Sequence, residues 1–255
     1  MPPARSAAPN VASAPTVAGW PLAPVFVERL GAPGVPVDVL ACRLDVDADA
    51  VAAAAALLSA EEQWRADRFL HDRDRRRFTL ARAALRMLLA ERLGIPPAWV
   101  AFQYGAQGKP ALAPDHGRPG LRFNLSHTGE LAVFAFAHGH EVGVDVERID
   151  RAVEAERLAA GFFSAQEVAA LRALAPDQRR LGFLNGWTRK EAFVKALGSG
   201  LGCPLDSFDV SIAPDEPARI LRFNPAHGDP ANWHMESFSP ASEFVAALVV
   251  DTRLG

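Results

Sequence analysis

The chain has 255 residues and a formal net charge of −3 at pH 7, and 49% of its residues are hydrophobic. These values are ordinary for a globular protein, and the length is near the size at which a single core divides into lobes. A small negative charge provides no overall field that would attract nucleic acid or an anionic membrane. No uninterrupted apolar run approaches the roughly 18–20 residues that a transmembrane helix requires.

The cysteines and the N-terminal residues indicate the cellular compartment of the protein. Cys42 and Cys203 are far apart and lack the spacing of metal ligands, so they indicate neither a disulfide framework nor a zinc site. A reducing cytoplasm is therefore the expected location. Residues 1–22 are rich in Ala and Pro and lack the apolar core of a signal peptide, which predicts a disordered or loosely attached tail.

The first half of the chain predicts helices followed by strands. Alternating β-branched residues indicate a strand at 35–47, and an Ala-rich helix follows at 49–58. Ser59-Ala60-Glu61-Glu62 has the form of a capping box that begins a second helix, to about Leu70. A longer helix at 75–93 ends at Gly94. Further strands are predicted at 99–104, 121–125, 131–137 and 142–147.

The second half repeats this order in outline. Ser164-Ala165-Gln166-Glu167 is another capping box, and a longer helix at 178–197 ends at Gly198. Strands are predicted at 207–213, 218–223, 232–238 and 243–251. The repetition predicts an α+β fold of two similar lobes related by pseudo-two-fold symmetry, at 23–139 and 140–251. Each lobe is expected to pack an antiparallel sheet with a long helix.

Two acidic residues lie two positions apart in VGVDVERID, residues 142–150. Alternate side chains of a strand share a face at a spacing of about 6.5–7 Å, so Asp145 and Glu147 point to one side and the valines to the core. Neighbouring carboxylates repel each other unless a cation or a proton separates them. A solvated strand face and a divalent-metal site completed by a third carboxylate both fit this pair.

The candidate for the third carboxylate lies in GWTRKEAFVKALGSG, residues 186–200. Trp187, Glu191 and Lys195 recur at every fourth position, so they form one stripe on a helix. An exposed Glu–Lys pair at this spacing contributes only about 0.2–0.5 kcal/mol. Lys190 adds a second ammonium beside Glu191, and such a cluster suits a ligand that carries both a metal and phosphate.

Candidate anion-binding residues lie upstream. Ser126, His127 and Thr128 come where a strand turns, and they can donate hydrogen bonds to phosphate, although such residues more often bond within their own turn. Lys109 lies in a rigid Gly-Lys-Pro turn. Residues 65–92 hold nine arginines, whose guanidinium groups suit bidentate phosphate contacts. A Ser–His hydrolase is disfavoured, because no G-x-S-x-G motif is present.

Taken in order, these motifs resemble those of the 4′-phosphopantetheinyl transferases. The resemblance runs from about residue 40 to 250, and the length indicates the long, surfactin-synthetase-activating (Sfp-like) type. The matching segments are Gly-Lys-Pro (108–110), Phe-Asn-Leu-Ser-His-Thr (123–128), Gly-Val-Asp-Val-Glu (143–147), Phe-Phe-Ser-x-x-Glu (162–167) and Trp-Thr-Arg-Lys-Glu-Ala-Phe-Val-Lys (187–195).

The resemblance implies a monomer with coenzyme A bound in the cleft between the lobes. The phosphopantetheine arm would move to a serine of an apo carrier protein, with adenosine 3′,5′-bisphosphate as the leaving group. Magnesium, or manganese in its place, would be held by Asp145, Glu147 and Glu191. The catalytic roles would belong to Glu191, Lys195 and Asp145.

The resemblance also implies where the phosphates and the carrier bind. The coenzyme's phosphates are expected at Lys109, Ser126, His127, Lys190 and Lys195. The 3′-phosphate and base are expected at Arg65, Arg77 and Arg82. Glu62 departs from the family pattern, since this position often carries Lys, and Arg65 replaces another Lys. The acidic helix of the carrier is expected to meet Phe162, Phe163 and Arg189.

Two other functions fit parts of the pattern. A metal-dependent nuclease also uses acidic residues and a Lys, but it would need a basic groove with stacking aromatic residues. A non-catalytic coenzyme A- or carrier-binding relative would be expected to have lost a metal ligand. The presence of Asp145, Glu147 and Glu191 favours the enzyme.

Overall fold

The computed structural model describes residues 25–32, 34–116, 120–150, 154–198, 202–223 and 229–253. The predicted tail at 1–22 lies outside these ranges. Within them the chain is a mixture of helices and antiparallel strands, which confirms the predicted mixed composition. No helix in these ranges is both long and apolar enough to cross a membrane. Cys42 and Cys203 are both buried.

The first half follows the predicted order closely. Its elements are β1 (Val25–Ala32), β2 (Val35–Arg43), α1 (Ala48–Ala55), α2 (Ala60–Asp67), α3 (Asp72–Leu93), β3 (Phe102–Tyr104), β4 (Pro110–Leu112), β5 (Leu121–Thr128) and β6 (Leu131–His138). The sequence pattern missed β1. Its register against β2 shifts between Phe26 and Glu28, so strict alternation of polar and apolar residues is broken there.

The second half contains one helix that the pattern missed. Its elements are β7 (Val142–Arg148), α4 (Ala155–Phe162), α5 (Ala165–Ala173), α6 (Arg179–Leu197), β8 (Asp209–Val210), β9 (Ile220–Arg222), β10 (Trp233–Phe238) and β11 (Phe244–Asp251). The missed helix, α4, has no side-chain cap at Glu154, so the usual start signal is absent.

Helix ends form where the sequence predicts them. Ser59 caps α2 and Ser164 caps α5, each with the reciprocal Glu contact of a capping box. Gly94 and Gly198 end α3 and α6 in the left-handed conformation, which costs glycine little because it has no Cβ. The two long helices therefore end on local signals, whereas neither begins with a side-chain cap.

Two antiparallel sheets form the centre of the molecule. One has the strand order β1-β2-β6-β5 and the other has the order β10-β11-β7, and two short two-stranded ribbons pair β3 with β4 and β8 with β9. In β2, β6 and β11 alternate residues belong to different hydrophobic clusters, because successive side chains point to opposite faces. One cluster lies between the two sheets, a second joins the larger sheet to α3, and the third joins the smaller sheet to α6.

The strand β7 packs closely beneath α6. Val142, Val144 and Val146 are buried in the cluster between the sheets, while Gly143 faces α6. A Cβ built at Gly143 would collide with the carbonyl oxygen of Ala192 and the amide nitrogen of Ala196. Only glycine lets the helix backbone approach this strand, and that approach fixes the height of α6 above the acidic residues that follow.

We expect Gly143→Ala to lower the free energy of unfolding by roughly 3 kcal/mol, the upper end of overpacking costs, because backbone atoms cannot move aside like a flexible side chain. Urea denaturation measures this change. The control is Gly161→Ala in α4, where a Cβ meets open space. There the substitution should leave stability unchanged or raise it by about 0.5–1 kcal/mol through helix propensity. Equal stability of both variants would contradict the close approach.

Candidate active site

The predicted site residues meet where two edge strands run side by side. The strand β5 is the edge of the larger sheet, and β7 is the edge of the smaller one. Asn124 bridges them through its side-chain oxygen, which accepts a hydrogen bond from the amide of Val144 at 3.0 Å. A side chain thus satisfies a buried backbone donor that a neighbouring strand would otherwise satisfy. This junction places the polar side chains of β5 opposite the acids of β7.

Asp145 lies at the centre of this junction and is 6% exposed. Its Oδ1 accepts hydrogen bonds from the Lys195 ammonium at 2.6 Å and from the Ser126 hydroxyl at 2.8 Å. Lys195 also donates to Ser126 at 3.1 Å and to the carbonyl of Val144 at 3.2 Å. Lys195 belongs to α6, so one buried carboxylate connects β5, β7 and the long helix.

The other two predicted acids lie nearby. Glu147 is buried and accepts a hydrogen bond from the Thr128 hydroxyl at 3.2 Å. Burial raises the pKa of Glu191 above its ordinary value, and the negative charges of Asp145 and Glu147 raise it further, although Lys195 opposes them. These electrostatic effects show that the three carboxylates share one region. The alternation predicted for β7 is confirmed, but its acidic face is covered by α6 rather than by solvent.

One carboxylate oxygen is the main evidence that a divalent cation fits these residues. Oδ2 of Asp145 is buried and receives no hydrogen bond from the described residues. Three carboxylates supply the oxygen ligands that magnesium prefers. However, within the described ranges no three acidic, His or Cys side chains converge closely enough to hold a metal as they stand. Asp145, Glu147 and Glu191 therefore fit magnesium in their chemistry and common location, and their side chains must move to coordinate it.

A cavity of about 740 Å³ opens beside Glu191 and Lys195. Much of its lining is apolar, including Phe162, Trp187 and Val194, and Lys109 from the Gly-Lys-Pro turn also lines it. The Lys109 ammonium lies 2.9 Å from Glu141 and also donates to the carbonyl oxygens of Val142 and Ala196, each at 3.3 Å. The predicted phosphate ligand thus lines the cavity while tied to the ends of β7 and α6.

A second pocket, of about 670 Å³, is lined by His127 and Thr128, which follow Ser126 at the end of β5. It contains the predicted anion ligands His127 and Arg77, and its lining also includes Arg73 and Arg148, which sequence reasoning did not single out. Burial lowers the pKa of His127, and the positive charges of Lys195 and Arg77 lower it further. The three arginines of the lining supply guanidinium groups that suit an anion, and Asp74 and Asp150 line the same pocket.

The sequence carried a partial signal for the two missed arginines. Arg73 belongs to the arginine-rich segment 65–92, where the pattern alone did not distinguish pocket residues from solvated ones. Arg148 follows Glu147 directly, but it ends β7 and points to ion pairs with Glu130 and Asp150, at 3.4 and 2.8 Å. Arg148 lines the same pocket as His127 because the turn between β5 and β6 lies beside the end of β7.

Lys190, a predicted phosphate ligand, lies in the interior of the protein. Its side chain is fully buried, and its ammonium lies 2.8 Å from Glu167 and donates to the carbonyl oxygens of Leu205 and Phe208, each at 2.6 Å. Burial lowers the pKa of Lys190, although the charge of Glu167 opposes this effect. The ammonium is therefore enclosed in the interior, and the structure does not place it where a phosphate of coenzyme A could bind.

Arg82, another predicted phosphate ligand, is also buried, and its surroundings explain the unusual Glu62. Arg82 is 6% exposed, its Nε lies 3.7 Å from Glu62, and its guanidinium lies 4.9 Å from the Phe102 ring centroid. Glu62 also binds Nε of Arg86 at 2.6 Å. Glu62 is thus the counter-ion of two buried arginines in the core of the larger sheet. Arg65 is exposed, its guanidinium lies 5.4 Å from the Phe78 ring centroid, and it does not line either pocket.

Two expected carrier contacts are also corrected. Phe163 is 5% exposed and stacks on Phe183, and Arg189 is 2% exposed. The Arg189 guanidinium donates to Ser211 and Ser237, which ties α6 to the neighbouring strands. Of the three residues expected to meet a carrier, only Phe162 is exposed, and its ring contacts Trp187 at the cavity wall.

Comparisons with known proteins match most of the chain. The 4′-phosphopantetheinyl transferase superfamily matches residues 141–249, and the N-terminal part of 4′-phosphopantetheinyl transferases matches residues 47–139. The Nostoc sp. 4′-phosphopantetheinyl transferase HetI is 38% identical over 196 residues, 77% of this chain and 79% of HetI. Sfp, the Bacillus subtilis 4′-phosphopantetheinyl transferase, is 32% identical over 158 residues, 62% of this chain and 68% of Sfp. The human L-aminoadipate-semialdehyde dehydrogenase-phosphopantetheinyl transferase is 32% identical, covering 60% of this chain and 52% of that protein.

We expect Lys195→Met to lower the free energy of unfolding by about 2 kcal/mol, somewhat below the cost of breaking a fully buried pair, because it leaves the Asp145 carboxylate without its cation. The control is Arg43→Met, which removes an exposed pair with Asp45. Surface pairs of this kind contribute only about 0–1 kcal/mol. Chemical denaturation of both variants gives the comparison, and an equal effect would contradict a buried role for the Asp145–Lys195 pair.

Proposed function

Because the chain belongs to the 4′-phosphopantetheinyl transferase superfamily, we propose that it transfers the 4′-phosphopantetheine arm of coenzyme A to a serine of an apo acyl or peptidyl carrier protein. The leaving group is adenosine 3′,5′-bisphosphate. One observation carries this proposal: Asp145, Glu191 and Lys195 lie between an apolar cavity and a pocket lined by arginines. Coenzyme A has chemical groups that match these parts of the site in the same order: an uncharged arm, a pyrophosphate and a phosphorylated nucleoside.

The donor is proposed to span both pockets. His127 and Arg77 bind the adenosine bisphosphate end, with Arg73 and Arg148 close by. The pyrophosphate lies over the acidic residues, within reach of Lys195 and Ser126. The uncharged arm enters the cavity lined by Phe162 and Trp187 and by the Lys109 turn. Guanidinium groups suit phosphate because they donate paired hydrogen bonds in one plane.

Magnesium, or manganese in its place, is proposed to bind between the acids and the pyrophosphate. Asp145, Glu147 and Glu191 would hold the ion, with the buried Oδ2 of Asp145 as the oxygen that has no other partner among the described residues. When bound, the ion supplies Lewis-acid polarisation of the pyrophosphate. The protein holds the three acids close together at a cost, since neighbouring carboxylates repel each other, and the ion pair of Lys195 with Asp145 relieves part of this repulsion.

The transfer step assigns a role to each side chain. The carrier serine oxygen forms a bond to the β-phosphorus, and the bond from that phosphorus to the bridging oxygen breaks. Glu191, or a water that it orients, takes the serine proton as the new bond forms. Lys195 stabilises the charge that develops on the leaving bisphosphate. Phosphoryl transfer requires mainly positioning and charge stabilisation, which these fixed groups supply.

The organisation of the chain supports further parts of the proposal. We propose two similar lobes, at 23–139 and 140–251, related by pseudo-two-fold symmetry, with the site between them. Each contains a capped short helix, a long helix and an antiparallel sheet. The protein is proposed to act as a monomer in the cytoplasm, where cysteine thiols stay reduced. The exposed Phe162 is proposed to meet the carrier.

The reaction is tested by mass spectrometry of several apo carrier proteins after incubation with coenzyme A and Mg²⁺. We expect one or more carriers to gain the mass of a phosphopantetheine group, and no gain when a chelator removes the metal. A variant carrier whose acceptor serine is replaced by alanine is the control. Unmodified carriers throughout the panel would contradict the proposed function.

We expect Glu191→Gln to reduce the turnover number by about 10²–10⁴-fold, because the amide cannot accept the serine proton and binds a cation poorly. The fold should survive, and circular dichroism checks this. Glu91→Gln, on the exposed end of α3, is the matched control and should transfer at the wild-type rate. Near-normal transfer by Glu191→Gln would remove Glu191 from both of its proposed roles.

A further inference from the structure

A buried charge pair lies beside the proposed site, at the residue of α6 that precedes Glu191. Lys190 is fully buried, with its ammonium 2.8 Å from Glu167 and hydrogen-bonded to the carbonyl oxygens of Leu205 and Phe208. A lysine ammonium has three donors, and these three acceptors use all of them. The adjacent residue, Glu191, lines the cavity instead, since neighbouring residues of a helix point in different directions.

The carboxylate of Glu167 extends this cluster to two further segments. Its Oε2 accepts the amide of Ser164 at 2.9 Å, which completes the cap of α5. Its Oε1 accepts the amide of Val210 in β8 at 2.8 Å. The Lys190–Glu167 pair therefore ties together α6, the start of α5, the segment 205–208 and β8. Hydrogen bonds to charged groups are stronger than those between neutral groups, so these segments are held firmly.

Two of the tied segments form a wall of the cavity. Leu205, whose carbonyl binds Lys190, lines the cavity together with Cys203, Pro204 and Asp206. Phe162 lies two residues before the capping Ser164 and lines it too, with its ring 5.6 Å from that of Trp187. Thus the buried pair supports the part of the cavity that is built from apolar side chains.

The cavity has an apolar end and a charged end. Trp187 and Lys195 both line it and are eight residues apart on α6, a separation of about 12 Å at 1.5 Å per residue. Lys195 binds Asp145, and Gly198, three residues further along, lies against the Lys109 side chain. Phe162 contacts Trp187 at the other end. The wall held by Lys190 therefore belongs to the apolar end.

We infer that Lys190 is a positioning residue: with Glu167 it fixes the Leu205 and Phe162 wall that receives the uncharged arm of the donor, and it contacts no phosphate. This inference rests on the proposed function, since it takes coenzyme A as the donor. It assigns different roles to Lys190 and Glu191, which are adjacent in one motif. Glu191 acts on the reacting groups, and Lys190 sets the shape of the space beside them.

The test compares two ligands that share the same phosphorylated nucleoside. Calorimetry in Mg²⁺ measures the dissociation constants of coenzyme A and of adenosine 3′,5′-bisphosphate, which lacks the arm. For Lys190→Met we expect the constant for coenzyme A to rise about tenfold and that for the bisphosphate to stay within about twofold. Lys195→Met is the matched comparison and should weaken both ligands.

Folding is controlled with a second variant. Lys190→Met leaves the Glu167 carboxylate buried without a cation, which destabilises a protein. The double variant Lys190→Met/Glu167→Gln leaves no unpaired charge, and Gln still serves in a capping box. The same shift in the ratio of the two constants is expected for the double variant, so the measurement stands if the single variant unfolds.

The other outcomes overturn the inference. An equal loss for both ligands would mean that Lys190 acts on the phosphates, and wild-type constants for both would mean that the wall does not depend on it. A wild-type protein that binds neither ligand would instead contradict the proposed function. The two failures are therefore distinguishable in one set of titrations.

Discussion

The site depends on a buried carboxylate that is shared by three parts of the fold. Asp145 is reached by Ser126 from the neighbouring sheet and by Lys195 from the long helix above it. An ion pair of this kind is stabilising only when its geometry is good and its remaining atoms find partners. Oδ2 of Asp145 is buried and has no such partner among the described residues. The fold thus buries a carboxylate oxygen that has no hydrogen-bond donor among the described residues, at the point where the proposed chemistry occurs.

The other parts of the site are arranged around Asp145. Close contact of α6 with Gly143 lets a lysine of the helix reach an acid of the strand. Glu191, on the same helix, then lies close enough to the acids of β7 that their charge raises its pKa. The arginine-containing pocket at His127 and the apolar cavity at Trp187 both adjoin this cluster, since His127 follows Ser126 in β5 and Lys195 lines the cavity. A ligand that spans both pockets must cross the acids, and it can do so as a polyanion only if it brings a cation.

Local signals made much of this predictable from sequence. The capping boxes at Ser59 and Ser164 and the terminal glycines of the long helices need only near neighbours in the chain. The alternation in β7 correctly assigned the valines to the core and the acids to the other face. The buried partners of Lys190 and Arg82 were not predicted. Helical position shows which residues share a stripe, but it does not show that Glu167 and Glu62, 23 and 20 residues away, provide their partners.

The most direct measurement of the central claim is the anomalous diffraction signal of Mn²⁺ in crystals grown with coenzyme A. The account predicts one strong peak within bonding distance of carboxylate oxygens from Asp145, Glu147 and Glu191, and in contact with the pyrophosphate. It also predicts that the Lys195 ammonium moves from Asp145 toward the ligand. A peak elsewhere in the molecule, or coenzyme A bound with the three acids apart and no ion between them, would contradict it.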